Sequence, residues 1–208
     1  MSEYFYIHPE NPQARLIKQS VEIIKKGGIV IYPTDSSYAI GCHLDDKDAI
    51  DKIRRIRQVD KNHHFTLMCR DLSEISKYAM VDNINYRLLK AHTPGSYTFI
   101  LEANREIPRR LKHPKRKTIG IRIPDNNIAL ALLEELDQPL ISSTLILPDD
   151  DFPMTDPYQI QLFLENQVDL IIDGGYSGHE ATTVIDLMQS PPEVLREGKG
   201  DTKWLQRH

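Results

Sequence analysis

Apolar positions along the chain switch their spacing at regular intervals, and each switch marks a change between helix and strand. Leu16, Ile17, Val21 and Ile24 recur at helical spacing. With Asn11 as cap and Pro12 as first position, they predict a helix running to Lys26 and stopped by Gly27 and Gly28. Ile29 to Tyr32 is a short apolar run of strand type. A helix over Lys47 to Arg57, capped by Asp46, comes next, then a strand over Phe65 to Cys69. Helices over Leu72 to Tyr78 and Asn83 to Ala91 follow. The segments "YTFILEA" (Tyr97 to Ala103) and "TIGIRIP" (Thr118 to Pro124) alternate as half-buried strands do. The remainder reads as a helix over Ile128 to Leu136, a strand over Leu140 to Leu147 and a helix over Tyr158 to Asn166. Strands at Val168 to Ile172, Thr183 to Leu187 and Val194 to Arg196 finish the pattern.

About seven strands interleaved with helices predict an α/β fold: a single domain on a twisted, mostly buried sheet, with no internal repeat or linker. A chain of 208 residues, 40% hydrophobic and 27% charged, is long enough to bury a real core. The N-terminus shows no charged leader followed by an apolar run, and no apolar stretch nears the roughly 20 residues of a membrane span. Cys42 and Cys69 are far apart without CxxC spacing. A reduced, cytoplasmic setting is expected, with both thiols in the core.

The net charge of −4 argues against a polycation, but the charge is uneven. From Arg105 to Arg122, eight Lys and Arg side chains face the single acid Glu106, which predicts one electropositive surface suited to phosphates. Phosphate-loop motifs are missing. "GGYSG" (Gly174 to Gly178) follows an apolar strand and is either a tight turn or a set of N–H groups for an anion. His63 and His64 are adjacent and cannot share one ion from a helix or strand, so no metal site is expected. No G-x-S-x-G elbow points to covalent catalysis. Three further features stand open. The hydroxyl run Thr34 to Ser37 is either a capped turn or a ligand cradle. Arg55 and Arg57 are helix-end cations. Ser142, Ser143 and Thr144 bring hydroxyls into an apolar strand, where they need partners.

The order of these features resembles a known family. "YPTDSSYAIGC" is similar to the "YPTDTVYGLG" signature of the YrdC-like threonylcarbamoyl-adenylate synthases. "TPGSYTFIL", "TIGIRIPDN", "PLISSTLIL", "ATTVIDL" and "VLREGKGD" follow in the family's order, from about Asn11 to Asp201. The opening "FYIHPENPQ" and "RQVDKNHHFTLMCRDLSE" resemble the YciO branch. The resemblance implies a YrdC-like fold with a basic concave cleft. It also implies a nucleotidyltransferase reaction joining L-threonine, bicarbonate and ATP, as its Mg²⁺ complex, into threonylcarbamoyl-AMP and pyrophosphate for tRNA modification. Carried over by motif, Thr34, Tyr38, Thr118 and Thr182 lie toward the threonine end. Arg55, Arg57 and Arg196 neutralise phosphates, and Arg122 and Thr144 join them around the nucleotide. Family members are also described as binding double-stranded RNA through the cleft, so a non-catalytic module for double-stranded RNA, tRNA or rRNA is the alternative.

Three departures qualify the resemblance. Arg55 replaces the family's lysine, and a planar fork is not a compact ammonium. Ile146 stands where the family has an asparagine, removing a polar contact. The histidine that many synthases carry near Cys69 is missing. One lost polar contact at a phosphate costs about 2–4 kcal/mol of transition-state stabilisation, roughly 30- to 1000-fold in rate.

Overall fold

The computed structural model describes residues 1–207. Its strands are β1 (Glu3–Tyr6), β2 (Val30–Pro33), β3 (Tyr38–His43), β4 (Thr66–Met68), β5 (Tyr97–Glu102), β6 (Thr118–Arg122), β7 (Leu140–Thr144), β8 (Leu170–Asp173), β9 (Thr183–Asp186) and β10 (Glu193–Arg196). Its helices are α1 (Ala14–Lys25), α2 (Lys47–Arg57), α3 (Leu72–Tyr78), α4 (Asn83–His92), α5 (Asn127–Leu136) and α6 (Pro157–Leu164). The strands form one mixed sheet in the order β1-β8-β2-β3-β7-β4-β6-β5-β9-β10. The α/β class and the single sheet are as the periodicity predicts.

The sheet has ten strands rather than about seven, and β1 and β3 are the two that match none of the strands expected from periodicity, since neither alternates polar and apolar positions. β1, ahead of residue 11, pairs in parallel with β8 through Glu3–Leu170 and Tyr6–Asp173. β3 returns antiparallel to β2, from Pro33–Tyr38 to Val30–Gly41. The hydroxyl run Thr34–Ser37 is therefore the turn of a β-hairpin. Thr34 closes it: its hydroxyl donates to the Ser37 carbonyl at 2.6 Å and accepts from the Ser36 and Ser37 amides. Helix caps follow the expected chemistry at Asp46, Asp71, Asp82, Asn126 and Asp156, whose side chains accept from first-turn amides. At α1 the expectation fails. The N-cap is Gln13, not Asn11, and makes no side-chain cap, because the Gln13 amide oxygen accepts from the His8 amide instead.

Two apolar layers hold the sheet. On one face α2, α3, α4 and α6 pack Ile53, Ile75, Leu89 and Ile160 against Tyr38, Ile40, Leu67, Phe99, Ile121 and Ile141. On the other, α1 and α5 pack Ile24, Leu132 and Leu133 against Val30, Tyr32, Leu170 and Ile172. Each such fully buried side chain contributes roughly 1.5–3 kcal/mol of transfer free energy. The second layer ends at Met68 of β4 and Leu140 of β7, so beyond them one face of β7, β4, β6, β5 and β9 is left bare. Among the described residues, no helix is long and apolar enough to cross a membrane.

Candidate functional site

That bare face forms the floor of a cleft of about 540 Å³, within the range of small-molecule sites. Its floor is written by strand alternation. Thr118, Gly120 and Arg122 of β6 point into the cleft, and so do Ser142 and Thr144 of β7, Thr66 of β4, Thr98 of β5 and Thr182 beside β9. Gly120 keeps the floor level, since a Cβ there would sit 2.9 Å from the Thr98 methyl carbon.

Four arginines line the cleft, and no aspartate or glutamate does. Two are ion-paired outside it: Arg116 with Asp186 at 2.6 Å, and Arg122 with Asp35. Arg122 is buried, donates to Ser36 Oγ at 3.0 Å, and keeps a buried Nε without a partner. The other two, Arg57 and Arg196, have no carboxylate partner among the described residues. Arg57 donates to the Ile146 carbonyl at 3.2 Å and to Ser143 Oγ. Arg196 grips the Thr182 carbonyl through Nε and Nη2 at 3.1 and 2.9 Å. Burial lowers the pKa of Arg57, Arg122 and Arg196, with Asp35 opposing it at Arg122, yet a guanidinium stays charged in any aqueous range. Under-solvated cations beside hydroxyls have the chemistry that suits an oxyanion.

Second-layer contacts fix the walls. Asp35, at the hairpin tip, accepts from Arg122 and from the Ser96 hydroxyl at 2.9 Å, while its carbonyl accepts from Lys199 Nζ. The segment after β10 lies close enough to do this because residue 198 is glycine: a Cβ there would stand 2.3 Å from the Ala181 carbonyl oxygen. Thr98 and Thr182 share a hydroxyl hydrogen bond of 2.7 Å on the floor. The strand hydroxyls find three different fates. Ser142 pairs with Tyr32 at 2.5 Å, Ser143 meets Arg57 and His63, and Thr144 is exposed at the cleft edge.

Seven of the nine residues singled out from the sequence line the cleft: Thr34, Arg57, Thr118, Arg122, Thr144, Thr182 and Arg196. Thr34 lines it with a hydroxyl already committed to the turn. Arg55 does not line it. It is exposed, because residues two apart on a helix do not share a face and Arg57 faces the cleft. Tyr38 does not either. As the cross-strand partner of Pro33 it points to the opposite face, where its hydroxyl donates to the Gly175 carbonyl at 2.7 Å and accepts from the Gly174 amide. The same contact, with Gly175 donating to Asp173, uses the N–H groups of the glycine loop internally, so that loop is a turn. Residues not singled out also line the cleft: Ser36, Ser37, His63, His64, His113 and Arg116. The hydroxyl run and the basic segment pointed at four of these; only the two adjacent histidines carried no usable signal. A second hollow, of about 490 Å³, lies at the start of α2 beside Lys25, His43 and Asp45 to Asp48. Its three carboxylates would repel a phosphate, and Asp46 is already spent on the cap.

The model of the Sua5, YciO and YrdC family, described as "Telomere recombination", matches residues 22–198. YciO of Escherichia coli (strain K12) is 59% identical over 203 residues, covering 98% of both chains. Its crystal structure superposes with a TM-score of 0.93, again with 98% of each chain covered. A threonylcarbamoyl-AMP synthase of Vibrio vulnificus (strain YJ016) is 27% identical over 186 residues, covering 88% of this chain and 98% of that one. The structure of P. abyssi Sua5 complexed with L-threonine shares the fold, with a TM-score of 0.87 at 24% identity, over 95% of this chain and 58% of that one.

Proposed function

The chain belongs to the Sua5/YciO/YrdC family, and from that premise we propose that its cleft is a nucleotide site at which L-threonine, bicarbonate and ATP become threonylcarbamoyl-AMP and pyrophosphate. The observation that carries the reading is the carboxylate-free cleft where Arg57 and Arg196 have no acidic partner and Arg122 holds a buried N–H without an acceptor. The relatives named as synthase and as threonine complex support the choice of substrates.

In this reading the threonine amine adds to bicarbonate with loss of water. A carbamate oxygen then attacks the α-phosphorus, and the bond to the bridging oxygen of pyrophosphate breaks. Charge builds on phosphate oxygens, so cations positioned before the reaction supply most of the stabilisation. Arg57 and Arg196 meet the triphosphate, while Arg122, Ser36 and Thr182 orient the amino acid. Mg²⁺ arrives on the ATP phosphates, since no acid lines the cleft to hold it separately. Ile146 supplies only its carbonyl, to Arg57, where an asparagine would add an amide toward the ligand. Turnover is therefore slow.

The test is release of pyrophosphate from ATP and Mg²⁺ with and without threonine and bicarbonate. Release that depends on both supports the reading; release that ignores threonine, or none at all, removes it. The RNA-binding alternative has one specific observation behind it. Arg105, Arg109, Arg110, Lys115 and Lys117 are exposed on the β5–β6 connection, which reaches the cleft through Leu111, His113 and Arg116. Retention of duplex RNA with a steep salt dependence, in the absence of synthesis, would favour that alternative.

A further inference from the structure

The α2–β4 loop brings His63 into the cleft, where no role above uses it. Its Nε2 lies 2.8 Å from Ser143 Oγ and 3.2 Å from Arg57 Nη1, and Arg57 Nη1 also donates to Ser143. A guanidinium has only donors, so the histidine nitrogen facing it carries a lone pair and the ring is neutral, protonated on Nδ1. Ser143 then accepts from Arg57 and donates to His63. The three groups close a ring in which His63 Nε2 is the acceptor shared by Arg57 and Ser143. An edge-on contact with Phe65, at 5.2 Å between centroids, fixes the imidazole plane. Burial, then the charge of Arg57, moves the His63 pKa down to about 4, in agreement with a neutral ring.

We propose that His63 is a positioning residue for Arg57: by accepting from Nη1, alongside Ser143 and the Ile146 carbonyl, it holds the guanidinium with Nη2 free to meet a phosphate or pyrophosphate oxyanion. The inference rests on the cleft being a phosphate site, as set out above, and adds how its central cation is aimed. A long arginine left to rotate would lose much of its value at such a site, because each side chain that must be ordered on binding costs affinity. The same distances also resemble a serine nucleophile and its base. That reading fails on charge. A base must take up a proton, and beside Arg57 this would set two cations in contact. Nor, among the described residues, does any carboxylate hydrogen-bond to the other ring nitrogen to orient it.

The experiment is calorimetric titration of the full chain with inorganic pyrophosphate at fixed salt and pH 7.5. It needs no catalysis, so a chain without synthase activity still tests His63. His63→Leu is expected to weaken binding about tenfold, the weight of one hydrogen bond to a charged group. His63→Gln, which keeps a neutral acceptor, is expected within about threefold of the parent by the same measure. In an Arg57→Ala background His63→Leu should cost less than about twofold, since its effect passes through Arg57. If the leucine variant does not fold, His63→Lys replaces it: binding about tenfold weaker despite the added cation supports positioning, and tighter binding overturns it. The proposal also falls if His63→Leu binds normally, if its loss persists in full without Arg57, if Gln fails to restore binding, or if the parent does not bind pyrophosphate.

Discussion

The part of the sheet beneath α1 and α5 and the bare part beside it are one continuous face, yet they are built from opposite residue types. Under the helices stand Val30, Tyr32, Leu170 and Ile172, all fully buried. On the bare part stand Thr66, Thr98, Thr118, Arg122 and Ser142. The backbone is equivalent, and the opposite face carries the apolar layer of Phe99, Ile121, Ile141 and Ile185. What differs is a covering layer, and the lesson is that this protein makes its site by leaving a sheet uncovered rather than by adding loops. Residues under the helices should then govern stability, and those on the bare part should govern ligand affinity. Arg122 is the exception, because its ion pair with Asp35 ties the floor to the hairpin tip.

Arg122→Leu is expected to have the largest effect of all. It strands the half-buried Asp35 and removes a buried cation from the floor, costing about 3 kcal/mol, and lowers the melting temperature by about 10 °C. A melting curve unchanged by this substitution would mean that the floor carries no structural weight. Next, Leu132→Ala in α5 should cost about 2–5 kcal/mol while leaving pyrophosphate affinity of the folded protein unchanged. If affinity falls in step with stability, the two parts are not separable and the contrast breaks. Ile146→Asn should do the reverse, raising threonine-dependent turnover about tenfold with little change in melting temperature. An unchanged rate would place the handicap elsewhere in the cleft.

The smallest effect is a pH dependence. His63 is held neutral to about pH 4 by burial, then by Arg57, His64 and Arg54, against a weaker pull from Asp60. Its folded pKa lies below the ordinary value, so the unfolded chain takes up the proton first. Stability should therefore fall as pH drops from about 6.5 toward 4 and be indifferent to His63 above that range. Urea midpoints at pH 7 and pH 5 should diverge more for the parent than for His63→Gln. Equal shifts would show that His63 is not desolvated by the cleft.

Much of the bare part was readable in advance. The alternation of Thr118, Gly120 and Arg122 with Ile119, Ile121 and Ile123 marks a strand wet on one face only. The family resemblance places Arg57, Thr182 and Arg196 on the same cleft, which periodicity by itself does not. What could not be read was parity and return. Tyr38 sits four residues after Thr34, but its facing depends on how many residues the hairpin turn takes up, and Pro33–Tyr38 pairing sends it away from the cleft. Arg55 misleads for a similar reason, since two residues are more than half a helical turn. His63 reaches the site by a loop whose path no local pattern encodes.

The strap from Arg196 to Lys199 has a temporal consequence. Lys199 fastens the tip of the β2–β3 hairpin, made from residues near the start of the chain, and Arg196 is one of the two cleft arginines that have no acid partner among the described residues. A ribosome releasing this polypeptide would have delivered eight of the ten strands by residue 173, with both apolar layers nearly complete, while the pocket still lacked a wall. Ligand can therefore reward only the finished molecule, and a nascent chain must reach its shape unaided by what it will later hold.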